Sequence, residues 1–128
     1  MAIQRLSIRD VTVLKNPGKV SEQLVWPRNA PDSLITITRV TMAPGAVSSR
    51  HSHSRAEQIW IVERGSGALL LAGGGQSVLH AGDIIRTPAG ETHGVENTGR
   101  EPLVYLAITT PPEDFTPRYG KTIAASRG

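Results

Sequence analysis

Glycine and proline divide this chain into pieces too short for anything but strands and turns. The 128 residues include 13 glycines and 9 prolines, and both residue types interrupt regular secondary structure. Nowhere do twelve residues free of such breakers carry apolar side chains at the i, i+3, i+4, i+7 spacing of an amphipathic helix. The sequence therefore predicts an all-β fold.

The stretches between the breakers have the residue types and the period-two alternation of strands. The clearest are 34–42 (LITITRVTM) and 58–64 (QIWIVER), and others are predicted at 67–72, 76–80, 83–87 and 103–109, with edge strands at 5–13 and 23–26. About nine or ten short strands favour a sandwich or a closed barrel. We expect one domain over residues 1–128, with a core at about 34–110 and a proline-rich C-terminal tail that ends in disorder.

Three consecutive glycines, Gly73 to Gly75, separate two of these strands. They are typical of a hairpin loop, since glycine accepts the backbone angles of tight turns. The alternative is a nest of backbone amides that binds phosphate, but no helix pattern and no nearby lysine follow it. We favour the hairpin.

Composition excludes several classes of function. There is no cysteine, so disulfides, thiolate metal sites and thiol nucleophiles are ruled out. The net charge of +3 comes from 14 basic and 11 acidic residues spread along the chain, and no nucleic-acid partner is expected. No apolar run approaches the ~18 residues of a membrane span, and residues 1–10 lack a signal-peptide core. We expect a cytoplasmic protein without a membrane partner.

The histidines are unevenly placed. His51 and His53 are separated by one residue, which in an extended segment puts both imidazoles on one face. His93 follows a Pro88–Gly90 turn and would meet the pair across a barrel. Taken alone, such a pair is as often two surface histidines as a metal site. His80 is expected to be an exposed loop residue.

The spacing around these histidines resembles the two motifs of the cupin superfamily, Gx5HxHx3–4Ex6G and Gx5PxGx2Hx3N. The first motif matches at Gly45, His51, His53 and Gly65, and the second at Gly82, Pro88, Gly90, His93 and Asn97. Every fixed position matches except the acid of the first motif. The resemblance covers roughly residues 36–110.

This resemblance implies a double-stranded β-helix, or jelly-roll barrel, whose two motifs meet around one divalent transition metal ion. The ligands would be His51, His53 and His93, and such a ligand set suits Fe, Mn, Ni, Zn or Cu. Small cupins commonly form dimers, so the resemblance also implies a homodimer with a small-molecule ligand or substrate. Asn97 is expected to serve a turn.

The position where cupins usually carry a metal-binding glutamate is occupied by Gln58, with Glu57 beside it. The distance to Gly65 favours Gln58 as the inward residue, whereas Glu57 belongs to the other face of the strand. Either residue, but not both, is a candidate fourth ligand, and Gln58 can instead hydrogen-bond inside the barrel. A neutral amide would leave the ion under-neutralised, which weakens metal binding and attracts an anion.

Several residues are candidates for a substrate pocket beside the metal. Trp60, Tyr105 and Thr36 fall on predicted strands and can face inward, although an aromatic at Trp60 is more often barrel core and the other two are equally consistent with packing. The arginines at 50, 55 and 86 are candidates for binding an anion at the barrel mouth, and strand parity puts Arg50 opposite His51. In the tail, Phe115 and Tyr119 would either close the mouth or, as we favour, pack on the outer wall.

Three functions fit these residues. The first is dioxygenase-type oxidation of a small anionic organic acid, because three-histidine cupins without the acid, such as cysteine dioxygenase and β-diketone dioxygenase, resemble this arrangement. The second is a sugar or keto-acid isomerase that uses the metal as a Lewis acid. The third is a non-catalytic module that binds or senses a small molecule. The fold alone does not choose between them.

Overall fold

The computed structural model describes residues 2–124, and almost all of its regular structure is β. The strands are β1 (Val13–Asn16), β2 (Lys19–Val25), β3 (Thr36–Met42), β4 (Val47–His51), β5 (Glu57–Arg64), β6 (Ser66–Leu71), β7 (Gln76–His80), β8 (Ile84–Thr87), β9 (His93–Glu96), β10 (Leu103–Thr110) and β11 (Lys121–Ile123). Short 3-10 turns occupy Ile8–Asp10, Ala72–Gly74 and Thr116–Arg118. In this range no helix is long and apolar enough to cross a membrane.

The strands form two antiparallel sheets that enclose one core. One sheet has seven strands in the order β11-β1-β2-β3-β10-β5-β8, and the other has four in the order β4-β9-β6-β7. Side chains from both sheets meet in a single buried cluster: Val40, Met42, Trp60, Val62, Leu79, Val95, Leu103, Tyr105 and Ala107. The predicted all-β, double-stranded β-helix is confirmed.

The inner face of the larger sheet changes from apolar to polar along its strands. Alternate residues of β3, β5 and β10 are buried, as period-two strands require. The polar row at one end consists of cross-strand neighbours that are all buried: Thr36, Thr109, Gln58 and Thr87. Leucine, methionine and valine fill the other end. The inner face of the larger sheet is therefore polar at the end that carries this row.

The three glycines form the predicted hairpin, because β6 and β7 pair directly across them. Gly73 has φ +71°, which residues with a Cβ rarely adopt. A tighter constraint applies at Gly65, where a Cβ would lie 2.5 Å from the Pro102 carbonyl oxygen. These glycines let the chain turn and let adjacent segments approach closely.

The chain ends depart from the sequence prediction. Of the expected edge strand 5–13, residues Ile8–Asp10 form a 3-10 turn, in which the Ser7 hydroxyl accepts a hydrogen bond from the Arg9 amide, and the strand begins only at Val13. The second edge strand starts earlier than predicted, at Lys19, because Pro17-Gly18 closes a hairpin between β1 and β2. The tail adds β11 to β1, and its predicted disordered end, residues 125–128, lies outside the described residues.

Candidate metal centre

The two histidine segments meet because β4 and β9 are neighbours. His51 ends β4, His93 begins β9, and the two are cross-strand partners. His53 lies two residues beyond β4, where its carbonyl accepts a 2.7 Å hydrogen bond from the Gly90 amide. The Pro88–Gly90 turn therefore fixes the position of His53.

The three imidazoles form one compact cluster. Ring centroids are 5.1 Å apart for His51 and His53, 4.7 Å for His51 and His93, and 5.4 Å for His53 and His93. One nitrogen from each ring can be chosen so that all three lie within 4.8 Å of one another. Such a spacing allows three nitrogens to bind a single ion at the ~2.0–2.1 Å typical of a zinc–imidazole bond.

Buried ring nitrogens in this cluster lack hydrogen-bond partners. Within residues 2–124, none is found for His53 Nε2 or for either ring nitrogen of His93, although these side chains are only 5% and 2% exposed. Unsatisfied buried polar atoms are costly. Nitrogens that converge without protein partners fit a divalent metal ion, which would satisfy them.

The electrostatic surroundings keep the three rings neutral, the form that binds metal. Burial is the main cause of a lowered pKa for each histidine, and the positive charge of Arg118 acts in the same direction. The effect is largest for His93, whose pKa falls to about 4. At neutral pH the rings are therefore available as ligands.

Contacts outside the cluster orient two of the rings. The Ser49 carbonyl oxygen lies 2.8 Å from His51 Nδ1, and since a carbonyl only accepts, Nδ1 carries the proton and Nε2 keeps the lone pair that can bind a metal ion. His53 Nδ1 lies 3.4 Å from the Glu113 carboxylate and 3.4 Å from the Arg118 guanidinium. Outer contacts of this kind hold metal-binding imidazoles in place.

Both candidates for the fourth ligand make hydrogen bonds or ion pairs with other residues. Gln58 is buried on the inner face, as predicted, but its amide nitrogen donates to Thr109 Oγ1 (3.0 Å) and its oxygen accepts from the Trp60 indole (3.1 Å). Glu57 lies on the other face and pairs with Arg86 at 2.5 Å. The structure thus brings together the three histidines and leaves both residues engaged elsewhere.

The candidate pocket residues separate into two groups. Trp60 and Tyr105 line a cavity of about 300 Å³ beside the histidines, with the Trp60 ring centroid 5.0 Å from that of His93. Thr36 does not line the cavity, because its hydroxyl donates to the Glu113 carbonyl and accepts from the Glu113 amide, each at 2.9 Å.

The three candidate arginines also lie outside this cavity. Arg50 donates to the backbone carbonyls of Leu71 and Gly75, Arg86 pairs with Glu57, and Arg55 is exposed.

Part of the cavity wall comes from a tail segment that the sequence prediction placed differently. Phe115 and Tyr119 line the cavity, so the favoured placement on the outer wall was wrong. The Phe115 ring centroid lies 6.2 Å from that of His53. The only advance signal was that two of the five aromatic residues fall in this otherwise polar tail.

Two cations that the sequence prediction missed also line the cavity, namely Lys19 and Arg118. The Lys19 ammonium donates to Ser48 Oγ at 2.6 Å and lies 5.3 Å from the Tyr119 ring centroid. Burial, aided by the charge of Arg118, lowers the pKa of Lys19 to about 8. The interior of the mouth is therefore positively charged at neutral pH.

Comparison with known proteins gives related folds and sequences. A family profile described as "Cupin domain" matches residues 38–109. The chain is 34% identical to an oxalate-binding protein from Thermotoga maritima over 71 residues, which cover 55% of this chain and 57% of that protein. It is 32% identical to a gentisate 1,2-dioxygenase from Ralstonia sp. over 100 residues, covering 78% of this chain and 26% of that enzyme. The chain thus spans just over half of the length of the first relative and about a quarter of the length of the second.

Among solved structures, a Klebsiella pneumoniae protein described as having a double-stranded beta-helix domain superposes with a TM-score of 0.72 at 19% identity. The superposition covers 98% of this chain and 100% of that chain. At this identity the likeness supports the fold alone.

Proposed function

The chain belongs to the cupin family, and from that premise we propose that it binds one divalent transition metal ion through His51, His53 and His93 and uses it to hold a small anionic organic acid. The observation that carries this proposal is the convergence of three imidazoles, of which His53 and His93 are buried and have ring nitrogens without protein partners in the described residues. Iron, manganese, nickel, zinc and copper all accept such ligands.

The proposed centre has no fourth protein ligand, since Gln58 and Glu57 are engaged by Trp60, Thr109 and Arg86. Three neutral imidazoles leave a divalent ion with its full charge of +2. Metal binding is then weaker than in a site that includes a carboxylate. An anionic ligand that completes the coordination shell should bind the ion more tightly than it would in such a site.

Within this proposal the reaction class supported best is dioxygenase-type oxidation of the bound acid. A ferrous ion held here would supply the redox chemistry and open coordination positions. The chain's own residues bind the acid, exclude water through Trp60 and Phe115, and keep the histidines neutral. The similarity to a gentisate 1,2-dioxygenase over 78% of this chain supports oxidation.

A second candidate is binding without turnover. It is favoured by the similarity to an oxalate-binding protein and by the cavity lining itself, which in the described part of the chain contains no carboxylate that could serve as a base. The nearest acid, Glu113, contacts His53. The lack of a lining carboxylate also removes one route to the proton transfer that an isomerase needs.

The first experiment measures metal content in the protein as purified and in two histidine variants. His51→Ala removes one proposed ligand, whereas His80→Ala removes an exposed histidine outside the cluster and is the matched control. We expect about one bound ion in the parent and in His80→Ala and its loss in His51→Ala. Equal metal content in all three proteins would overturn the proposed centre.

A second experiment separates oxidation from binding. The protein is reconstituted with Fe(II), and oxygen uptake and calorimetric binding are measured with oxalate, gentisate and a panel of other organic acids. Metal-dependent binding with oxygen uptake supports the dioxygenase, and metal-dependent binding without uptake supports the binding module. Size-exclusion chromatography with light scattering tests the proposed homodimer on the same samples.

A further inference from the structure

Two cations from distant parts of the chain line the cavity. Lys19 begins β2, and Arg118 ends the 3-10 turn before β11. Both line the cavity that His51 and His53 also line. The guanidinium of Arg118 lies 6.0 Å from the Phe115 ring centroid, and the Lys19 ammonium is bound to Ser48. The tail segment and the barrel wall thus each contribute one positive group.

Neither of these two charges makes an ion pair within 4.0 Å in the described residues, although the Glu113 carboxylate and the Arg118 guanidinium each lie 3.4 Å from His53 Nδ1. Across residues 2–124 the ion pairs within 4.0 Å are Arg28–Asp114, Arg39–Glu63, His53–Glu113 and Arg86–Glu57. None includes Lys19 or Arg118. Lys19 is partly buried and Arg118 is exposed, and because their like charges repel each other, an anion bound between them would be favourable.

We propose that Lys19 and Arg118 form an anion subsite for the second carboxylate of a small dicarboxylate, whose first carboxylate binds at the histidine cluster. This inference rests on the proposed function for the metal end of the ligand. Lys19 provides a compact point charge, and Arg118 provides a planar set of donors that matches a carboxylate. A cavity of about 300 Å³ limits the ligand to a short carbon chain.

The subsite also connects ligand binding to closure of the cavity. Arg118 belongs to the tail segment, whereas Lys19 belongs to the barrel. A carboxylate bound between them would therefore bridge the tail segment to the wall. A monocarboxylate bound at the histidines would leave this bridge unformed, and the cavity would accordingly prefer a ligand with acid groups at both ends.

The test compares succinate with butyrate, which has a similar length but one acid group, by isothermal titration into the full chain as purified and again after chelation. Malonate and glutarate test the preferred length. We expect the best dicarboxylate to bind at least about tenfold more tightly than butyrate, since charge-assisted hydrogen bonds are the strong ones. Lys19→Met and Arg118→Gln should each remove most of this preference, whereas Lys121→Met, an exposed lysine outside the cavity, should retain it.

Two readouts make the outcome decisive. Metal content is measured in every variant. A protein that holds no metal but still prefers dicarboxylates would contradict the proposed metal centre and support the anion subsite. Hydrogen exchange of residues 111–124 should slow with the preferred dicarboxylate in the parent and not in Arg118→Gln. The subsite is overturned if dicarboxylates and butyrate bind alike, if none of the dicarboxylates binds, or if both cavity variants keep the parent's preference.

Discussion

The carboxylate of Glu113 lies 3.4 Å from Nδ1 of His53, so the tail segment that lines the cavity also contacts the histidine cluster. The position of Glu113 is fixed independently of this contact, because its amide and carbonyl both bond the Thr36 hydroxyl. An acid held in this way stabilises one orientation of the ring and increases its strength as a ligand. The tail is therefore part of the proposed metal centre as well as its cover.

Replacing Glu113 by glutamine should weaken metal binding by about tenfold or more, the effect typical of losing an outer contact to a ligating histidine. Stability should change little, since the backbone bonds to Thr36 remain. Competition with a chelator of known affinity measures the effect, and Glu101→Gln, an exposed site, is the control. Unchanged metal affinity in Glu113→Gln would show that the contact with His53 has no role in metal binding.

Replacing Gln58 should cost stability and leave metal content unchanged. Gln58→Met keeps the volume but leaves the Trp60 indole and the Thr109 hydroxyl without partners, which should lower the free energy of unfolding by about 2–3 kcal/mol. Glu57→Gln loses only a surface pair with Arg86 and should cost less than about 1 kcal/mol. Denaturant unfolding and elemental analysis measure the two effects. Loss of metal in Gln58→Met alone would instead identify Gln58 as a ligand.

Acid should destabilise the metal-free protein through the buried histidines. The folded-state pKa of His93 is about 4, below its ordinary value of 6.5, so between these values the unfolded chain binds more protons than the folded one. The free energy of unfolding therefore falls as pH drops from about 6.5 to about 4, by about 3 kcal/mol for His93. His51 and His53 shift in the same direction.

Urea unfolding of chelator-treated protein at several pH values measures this dependence. His93→Phe removes the titrating group and should flatten part of the curve, whereas the exposed His80→Ala should leave it unchanged. A curve that is flat from pH 7 to pH 4 in the parent would contradict the burial of a neutral imidazole at this position.

The histidine cluster could be predicted from the sequence because its geometry follows from local spacing. His51 and His53 share a motif, and the Pro88–Gly90 turn that precedes His93 also donates the amide that holds His53. The inward placement of Gln58 likewise followed from strand parity. The sequence did not predict the hydrogen bonds of Gln58, because Thr109 lies beside Gln58 only through the pairing of β5 with β10.

The two cations that line the cavity could not be predicted in the same way. Lys19 and Arg118 are 99 residues apart (118 − 19) and belong to no motif. They approach because Pro17-Gly18 reverses the chain into β2 and because β11 pairs with β1 after the tail has crossed the mouth. Such pairing depends on tertiary contacts of short strands, which carry little periodicity of their own.

Gly94 makes the close approach of the two histidine strands possible, and its replacement should affect the fold and the proposed metal centre together. A Cβ at this position would lie 2.7 Å from the Ser48 carbonyl oxygen and 3.0 Å from the Arg50 amide nitrogen. Both atoms belong to the backbone of β4, which a side-chain rotation cannot move. Gly94→Ala should therefore push β4 from β9 and separate His51 from its partner His93.

We expect Gly94→Ala to lower the free energy of unfolding by about 1–3 kcal/mol, as other overpacked sites do, and to weaken metal binding. Gly75→Ala is the matched control, because its nearest neighbour, Leu71 Cβ, lies 3.5 Å from the added methyl and its φ of −67° suits alanine. Chelator competition and denaturant unfolding are measured on both variants. If Gly94→Ala binds metal as tightly as Gly75→Ala, the distance between the two strands does not control the alignment of His51 with His93.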